Sequence, residues 1–265
     1  MSFALPSMTP VVKRICIINL VVFGVQLLLG FGGGAARELF TSAFAISPAL
    51  WKEWFPLLPV WQLLCYGFLH SYGDIFHIIM NLLMLYFLGT MVEALVGGRR
   101  FLVFYLLAVV IAGFAQLMLG LAMGSDAMIL GASGGAIAAV IAAATLRPQT
   151  RIIFIIFPIT LKTLAIILVG VDLYYQILEL QGVGGGVARL AHLAGAAFGF
   201  LSVRQGWIYA DPLESYERWR SRTAARREES VRERVDELLA KINREGIQSL
   251  SRSEQAFLKK ASKRR

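Results

Sequence analysis

The sequence predicts an all-α polytopic membrane protein with six transmembrane helices, an interfacial external loop and a small soluble helical C-terminal tail. Three observations predict it. Of 265 residues, 57% are hydrophobic and only 16% are charged, whereas a soluble domain is roughly 45–50% apolar and about 25% charged. The apolar residues gather into runs close to the length that crosses a bilayer, about 20 residues per helix. The charge is uneven: residues 1–202 hold 10 Lys and Arg, and the much shorter stretch 203–265 holds 16. The chain therefore divides into a membrane domain over 1–206 and a charged tail over 207–265. A soluble enzyme is excluded, because one domain of this size would expose too much apolar surface. The net charge of +9 does not indicate nucleic acid, because most of the excess lies in the tail, as at a cytoplasmic end.

The elements follow in order. The first span covers 15–31, after Lys13-Arg14. A cleaved signal peptide is the weaker reading, since Gln26 and Gly32-Gly33-Gly34 offer no clean small-residue cleavage site. Residues 35–72 carry charges among Trp51, Trp54 and Trp61, and two prolines interrupt them. This is the composition of a segment at the membrane–water boundary, where rings with a polar edge are favoured. The second span covers 74–96 and stops at Gly97-Gly98-Arg99-Arg100; the third covers 101–123. The fourth runs from Ser133 to Arg147-Pro148. A short extended piece with Pro158 is expected over 151–162. The fifth span covers 163–180, a glycine-rich loop follows over 182–186, and the sixth covers 187–203. In the tail, Val231, Val235, Leu238, Leu239 and Ile242 recur at helical spacing up to Gly246. Ser251 and Glu254 then have the form of a capping box opening a second helix. Cys16 and Cys65 sit in apolar surroundings as packing residues.

Six spans put both termini on one side. With that side cytoplasmic, seven connecting Lys and Arg lie inside (Lys13, Arg14, Arg99, Arg100, Arg147, Arg151, Lys162) against Arg37, Lys52 and Arg189 outside, which fits the positive-inside bias.

Strongly polar side chains inside a span are costly and mark candidate function. They are His77, Asn81, Glu93, Gln116, Ser133, Asp172 and His192. His77 and Asn81, four apart, share one helix face. Ser133 opens the fourth span within Gly131-Ala132-Ser133-Gly134-Gly135, where free backbone N–H groups of the helix start are within reach. His192 opens the sixth span, at matching depth. Gly195 and Gly199 on that span make a small-residue face that permits close packing. This set reads as acyl-transfer chemistry. Ser133 is the nucleophile, and His192 is the base that takes its proton. The Ser133 N–H, His77 and Asn81 are donors for a tetrahedral oxyanion. No carboxylate is evidently placed to orient His192, so the expectation is a Ser-His dyad, with Asp172 as the only candidate third member. Glu93 is expected to bond helix ends, Gln116 and Asp172 to pair between helices, and His70 to be structural.

These segments together resemble the rhomboid intramembrane serine proteases of the six-span bacterial type, over about residues 8–206. The resemblance rests on Phe68-Leu69-His70 with His77 and Asn81, on Leu88-Gly89 with Glu93, on Gly131-Ala132-Ser133-Gly134, and on Ala191-His192 with Gly195 and Gly199. It implies Ser133 as nucleophile, His192 as base, and His77 and Asn81 as oxyanion groups. It also implies transmembrane segments of other proteins as substrates, with small and helix-breaking residues near the cut, and location in a bacterial plasma membrane. Two positions depart from the family pattern. Gln62 follows Trp61 where an Arg is common, and Ile137 stands four residues after Ser133 where some members have an aromatic.

No metal, nucleotide or organic cofactor is expected: the three His are scattered, and no His-Glu-x-x-His motif occurs. An aspartyl mechanism needs two buried Asp, and Asp172 is the only one expected mid-span. Two alternatives are weaker. A catalytically silent, membrane-protein-binding relative would not need all four polar residues. A transporter would carry internal repeats, and none is evident.

Overall fold

The computed structural model describes residues 7–31, 34–154, 157–183 and 188–262. By internal packing it forms two compact units, 1–210 and 211–265. The described elements of the first unit are helices and one hairpin. Helix α1 covers Pro10–Phe31, and three short helices follow: α2 (Ala35–Phe44), α3 (Pro48–Glu53) and α4 (Gln62–Cys65). One continuous helical rod then covers Ile75–Val96. It consists of α5 (Ile75–Met84), a π-helical turn (Leu85–Gly89) and α6 (Thr90–Val96). Helix α7 covers Gly98–Met123 and α8 covers Ser133–Leu146. Strands β1 (Arg151–Phe154) and β2 (Phe157–Thr160) precede α9 (Leu161–Leu180) and α10 (Arg189–Arg204).

Among the described residues four helices are long and apolar enough to cross a membrane: Pro10–Phe31, Ile75–Val96, Gly98–Met123 and Leu161–Leu180. The chain is a multi-pass membrane protein. The expectation of six spans is met only in part, because α8 has 14 residues and α10 has 16. At 1.5 Å per residue α8 is roughly 21 Å long, short of the ~30 Å hydrocarbon core. The expected start of the sixth span, and most of the loop 182–186, lie outside the described residues.

Local chemistry explains the helix starts. The Asp74 carboxylate accepts from Phe76 N at 3.0 Å and caps α5. Thr160 Oγ1 accepts from Thr163 N at 3.2 Å and caps α9. Helix α1 is capped from a distance. Glu93 of α6 accepts from Thr9 Oγ1 at 2.6 Å and from the backbone N–H groups of Val11 and Val12 at 3.0 and 2.8 Å. A buried carboxylate thus satisfies orphan donors of the first turn, as expected of Glu93.

Helix α8 is the core. It is buried from Ser133 through Ala144, while α9 presents Ile166, Ile167, Val171, Leu173 and Tyr174 outward. The partner that lies closest to α8 is α10, and glycine sets their separation. A Cβ on Gly195 would collide with the Gly134 carbonyl, and one on Gly199 with that of Ala138. The small-residue face read from the sequence is this seam.

The segment after α1 is more ordered inside than an interfacial loop requires. Gln62 is fully buried. Its Oε1 accepts from Ser47 N at 3.2 Å and Trp51 Nε1 at 3.1 Å, and its Nε2 donates to Ser42 O at 3.1 Å. Trp51 is therefore a buried structural residue rather than a surface anchor, whereas Trp54 and Trp61 remain exposed. The extended piece before α9 is an antiparallel hairpin, with Ile152 opposite Ile159 and Ile153 opposite Pro158.

In the second unit α11 covers Pro212–Glu245 and α12 covers Arg252–Ser262. The capping box forms: Ser251 Oγ accepts from Glu254 N at 3.3 Å, and Glu254 Oε2 accepts from Ser251 N at 2.7 Å. The backbone N–H of Ser251 and its hydroxyl hold the Glu254 carboxyl below its ordinary pKa.

Candidate active site

Ser133 is the first residue of α8 and is 9% exposed. Its position is fixed by the turn before it. Gly131 adopts φ +131°, and its missing side chain leaves the space filled by His77, whose Cε1 lies 2.8 Å from where a Cβ would stand. The Gly131 N–H donates to Tyr66 O at 3.0 Å, and Ile46 and Ile129 exchange backbone hydrogen bonds of 3.0 and 2.9 Å. The strand-like approach to Ser133 is thus pinned to the segment after α1.

His192 lies in the first turn of α10. Its Nε2 is 2.7 Å from Ser133 Oγ. The turn is held by Gln116 of α7, whose Oε1 accepts from Ala191 N at 3.1 Å, the interhelical role expected for Gln116. The close α8–α10 seam one turn further on keeps the two side chains in register. The Ser133 hydroxyl can donate to Nε2 only if the other ring nitrogen carries the proton.

The acceptor for that proton is present. His192 Nδ1 lies 3.2 and 3.1 Å from the two carboxylate oxygens of Asp172. This corrects the expectation of a dyad without an orienting carboxylate. Asp172 is on α9 and is 6% exposed. The Arg189 guanidinium donates to its Oδ1 at 2.8 Å and stands 4.8 Å from the ring centre of Tyr175. Sequence spacing gave no sign of this contact, because it depends on how α9 is rotated about its axis.

His77 and Asn81 of α5 line the same cavity as Ser133 and His192. Asn81 is almost fully buried, and its Nδ2 donates to His70 Nε2 at 3.2 Å. An amide nitrogen is donor only, so the His70 ring is neutral there. His70 itself is fully buried, in edge contact with His77 at 5.3 Å between ring centres. Burial, reinforced by the nearby His77, pushes the His70 pKa down to about 4. The side chain of Gln26 pairs with the His70 backbone, accepting from its N at 3.0 Å and donating to its O at 3.2 Å. The His70 backbone is thereby tied to α1.

The cavity holds about 700 Å³. Its walls include Met80, Met84, Met123, Met128 and Ile137. Methionine walls are apolar and deformable. The site therefore combines a hydroxyl bonded to an imidazole, a carboxylate behind that imidazole, polar groups opposite, and an apolar cavity above.

Known families and proteins share sequence with this chain. A family model described as the Rhomboid domain matches residues 58–208, more than half of the chain. A second, described as a family of unknown function (DUF6576), matches residues 221–264. Over 176 residues the chain is 28% identical to the presenilin-associated rhomboid-like protein, mitochondrial, of Rattus norvegicus, covering 61% of this chain and 44% of that protein. The chain thus spans less than half the length of that relative.

Proposed function

The chain belongs to the rhomboid family, and from that premise we propose that it is an intramembrane serine endopeptidase that cleaves transmembrane segments of other proteins. The observation that carries this reading is the 2.7 Å contact of Ser133 Oγ with His192 Nε2 inside an apolar cavity. In the mechanism His192 takes the Ser133 proton as the hydroxyl oxygen attacks a peptide carbonyl. The resulting oxyanion is held by the Ser133 N–H at the start of α8, by His77 and by Asn81. His192 then gives the proton to the leaving amine, and a water hydrolyses the acyl-enzyme by the same steps. Asp172 keeps the Nδ1–H tautomer in place and stabilises the imidazolium when it forms. It touches neither substrate nor the reacting atoms, so it is a positioning residue.

In this reading α8 and α10 complete a six-span bundle over residues 1–206, and 207–265 is an appended tail. The shortness of α8 supports it. The missing length is taken up by the cavity and by the loop of residues 124–132, several of which line it. Irregular backbone at membrane depth is tolerated where it borders a wet cavity, and hydrolysis needs that water. The Lys and Arg distribution orients the termini inward. We read the location as a bacterial plasma membrane. The name of the rat relative makes a mitochondrial membrane the second reading.

The test is labelling of purified protein in detergent with a fluorophosphonate. Modification at Ser133, lost in Ser133→Ala and in His192→Ala, is the expected result. An unlabelled Ser133 in protein that remains folded would remove the protease reading and favour a silent, membrane-protein-binding relative.

A further inference from the structure

We propose that the first half of α11 is an interfacial helix that binds anionic lipid headgroups through one face. Helix α11 begins at Pro212, and α10 ends at Arg204. Between them stand Trp207 and Tyr209, both about half exposed. At 100° per residue, Arg226, Trp219, Thr223, Tyr216, Arg227 and Arg220 fall within one arc of roughly 120°. No Asp or Glu of residues 212–230 falls in that arc. Glu214, Glu217, Glu228 and Glu229 lie on the far side of the helix.

The members of the arc are open to solvent. Tyr216 and Trp219 are 57% and 61% exposed, with ring centres 5.8 Å apart. Arg220, Arg226 and Arg227 are exposed, and among the described residues none of them is in an ion pair. By contrast Arg218 is paired with Glu214, and Arg234 with Glu237.

The chemistry selects the ligand. Guanidinium groups bind phosphate oxygens in a forked, two-point manner, and amphipathic rings settle at headgroup level. Basic residues directly after a membrane-embedded helix are attracted to an anionic leaflet within about a Debye length of it. A nucleic acid would also meet the charge. It would not account for the aromatic residues Trp207, Tyr209, Tyr216 and Trp219, which follow α10 in the sequence. This inference does not depend on protease activity.

The test uses the full chain in nanodiscs of phosphatidylcholine, with and without about 30% phosphatidylglycerol. Trypsin cleavage after Arg218 and Arg222, which lie in this segment but outside the arc, is measured relative to cleavage after Arg244 at the end of the same helix. The expected result is a relative rate lower by roughly tenfold in the anionic discs, restored by 0.5 M salt. The difference disappears in Arg220→Gln/Arg226→Gln/Arg227→Gln, and it shrinks in Trp219→Ala. Equal relative rates in the two lipids would overturn the proposal, as would protection that persists in the triple variant. Stronger protection by an oligonucleotide in neutral discs than by the anionic lipid would also overturn it. The salt reversal is read on the unaltered protein and needs no variant to fold.

Discussion

Asp172 on α9 holds His192 on α10 from behind, with 3.1 Å between Oδ2 and Nδ1, while Arg189 donates to the other carboxylate oxygen at 2.8 Å. One carboxylate thus joins the base to the helix that is least buried among the four long ones. Replacing Asp172 by Asn keeps the volume but presents an amide that can donate to Nδ1, which favours the tautomer with its proton on Nε2. That tautomer cannot accept from Ser133. The expected outcome is a fall in kcat of roughly 10²- to 10⁴-fold with KM little changed. Glu at this position should recover part of the rate. The measurement is steady-state cleavage of a transmembrane peptide in detergent across pH 5–9. A merely structural role for Asp172 would lower the folded fraction without changing the pH profile of the folded enzyme.

The oxyanion assignment makes a different prediction. His77→Ala and Asn81→Ala remove donors that act only once charge develops, so each should lower kcat by roughly 10- to 10³-fold with little effect on KM. A rise confined to KM would place these side chains in substrate binding instead. Asn81→Ala also leaves His70 Nε2 without its donor, so a thermal midpoint must be recorded beside the kinetics.

The seam between α8 and α10 is testable through stability. A methyl group on Gly195 meets the Gly134 carbonyl, which is backbone and cannot rotate away. Gly195→Ala should therefore force the helices apart and destabilise the fold by roughly 1–3 kcal/mol. It should also lengthen the Ser133–His192 contact, because the shift is one turn from His192. Unfolding in SDS–detergent mixtures reads the first effect, and the rate of fluorophosphonate labelling reads the second. A methyl on Gly24 or Gly170 meets nothing within 4 Å, so Ala at either position is the neutral control.

Much of this site was legible because polar residues are scarce in the apolar helices. Ser133, His192, His77 and Asn81 stand out where each is costly to bury, and Gly195 with Gly199 announced a close helix contact. What was not legible depended on rotation and on non-local pairing. Helix α9 is apolar around most of its circumference, so hydropathy did not say that Asp172 faces His192. Gln62 joins Ser42, Ser47 and Trp51, up to 20 residues away, and a single glutamine carries no sign of that. Only four of the six expected spans are recovered at full length among the described residues, because α8 and α10 are short helices of 14 and 16 residues. The tail helix is far longer than its apolar repeat, which begins only at Val231. Its first part is charged on most sides and has no hydrophobic period to read.

The buried His70 supplies a pH dependence whose sign is fixed by its environment. In the folded protein its pKa is held down to about 4, mainly by burial, from an ordinary value of 6.5. Above pH 6.5 neither folded nor unfolded chains bind this proton, and His70 contributes no slope. Between 6.5 and 4 the unfolded chain binds it and the folded chain does not, so stability falls as the pH is lowered. The full loss is on the order of 3 kcal/mol near pH 4, at 1.36 kcal/mol per unit. Below that, protonation would also turn His70 Nε2 from acceptor to donor and eject the Asn81 amide that now bonds to it. The activity of the folded enzyme should therefore be lost only near pH 4 and below, after stability has begun to fall. The check is the unfolding midpoint of the full chain in detergent from pH 4 to 8, compared with His70→Gln. Glutamine cannot titrate, but its Oε1 can still accept from Asn81. The variant should lose the part of the slope between pH 6.5 and 4 that the unaltered protein shows, and parallel curves would assign the acid sensitivity to other groups.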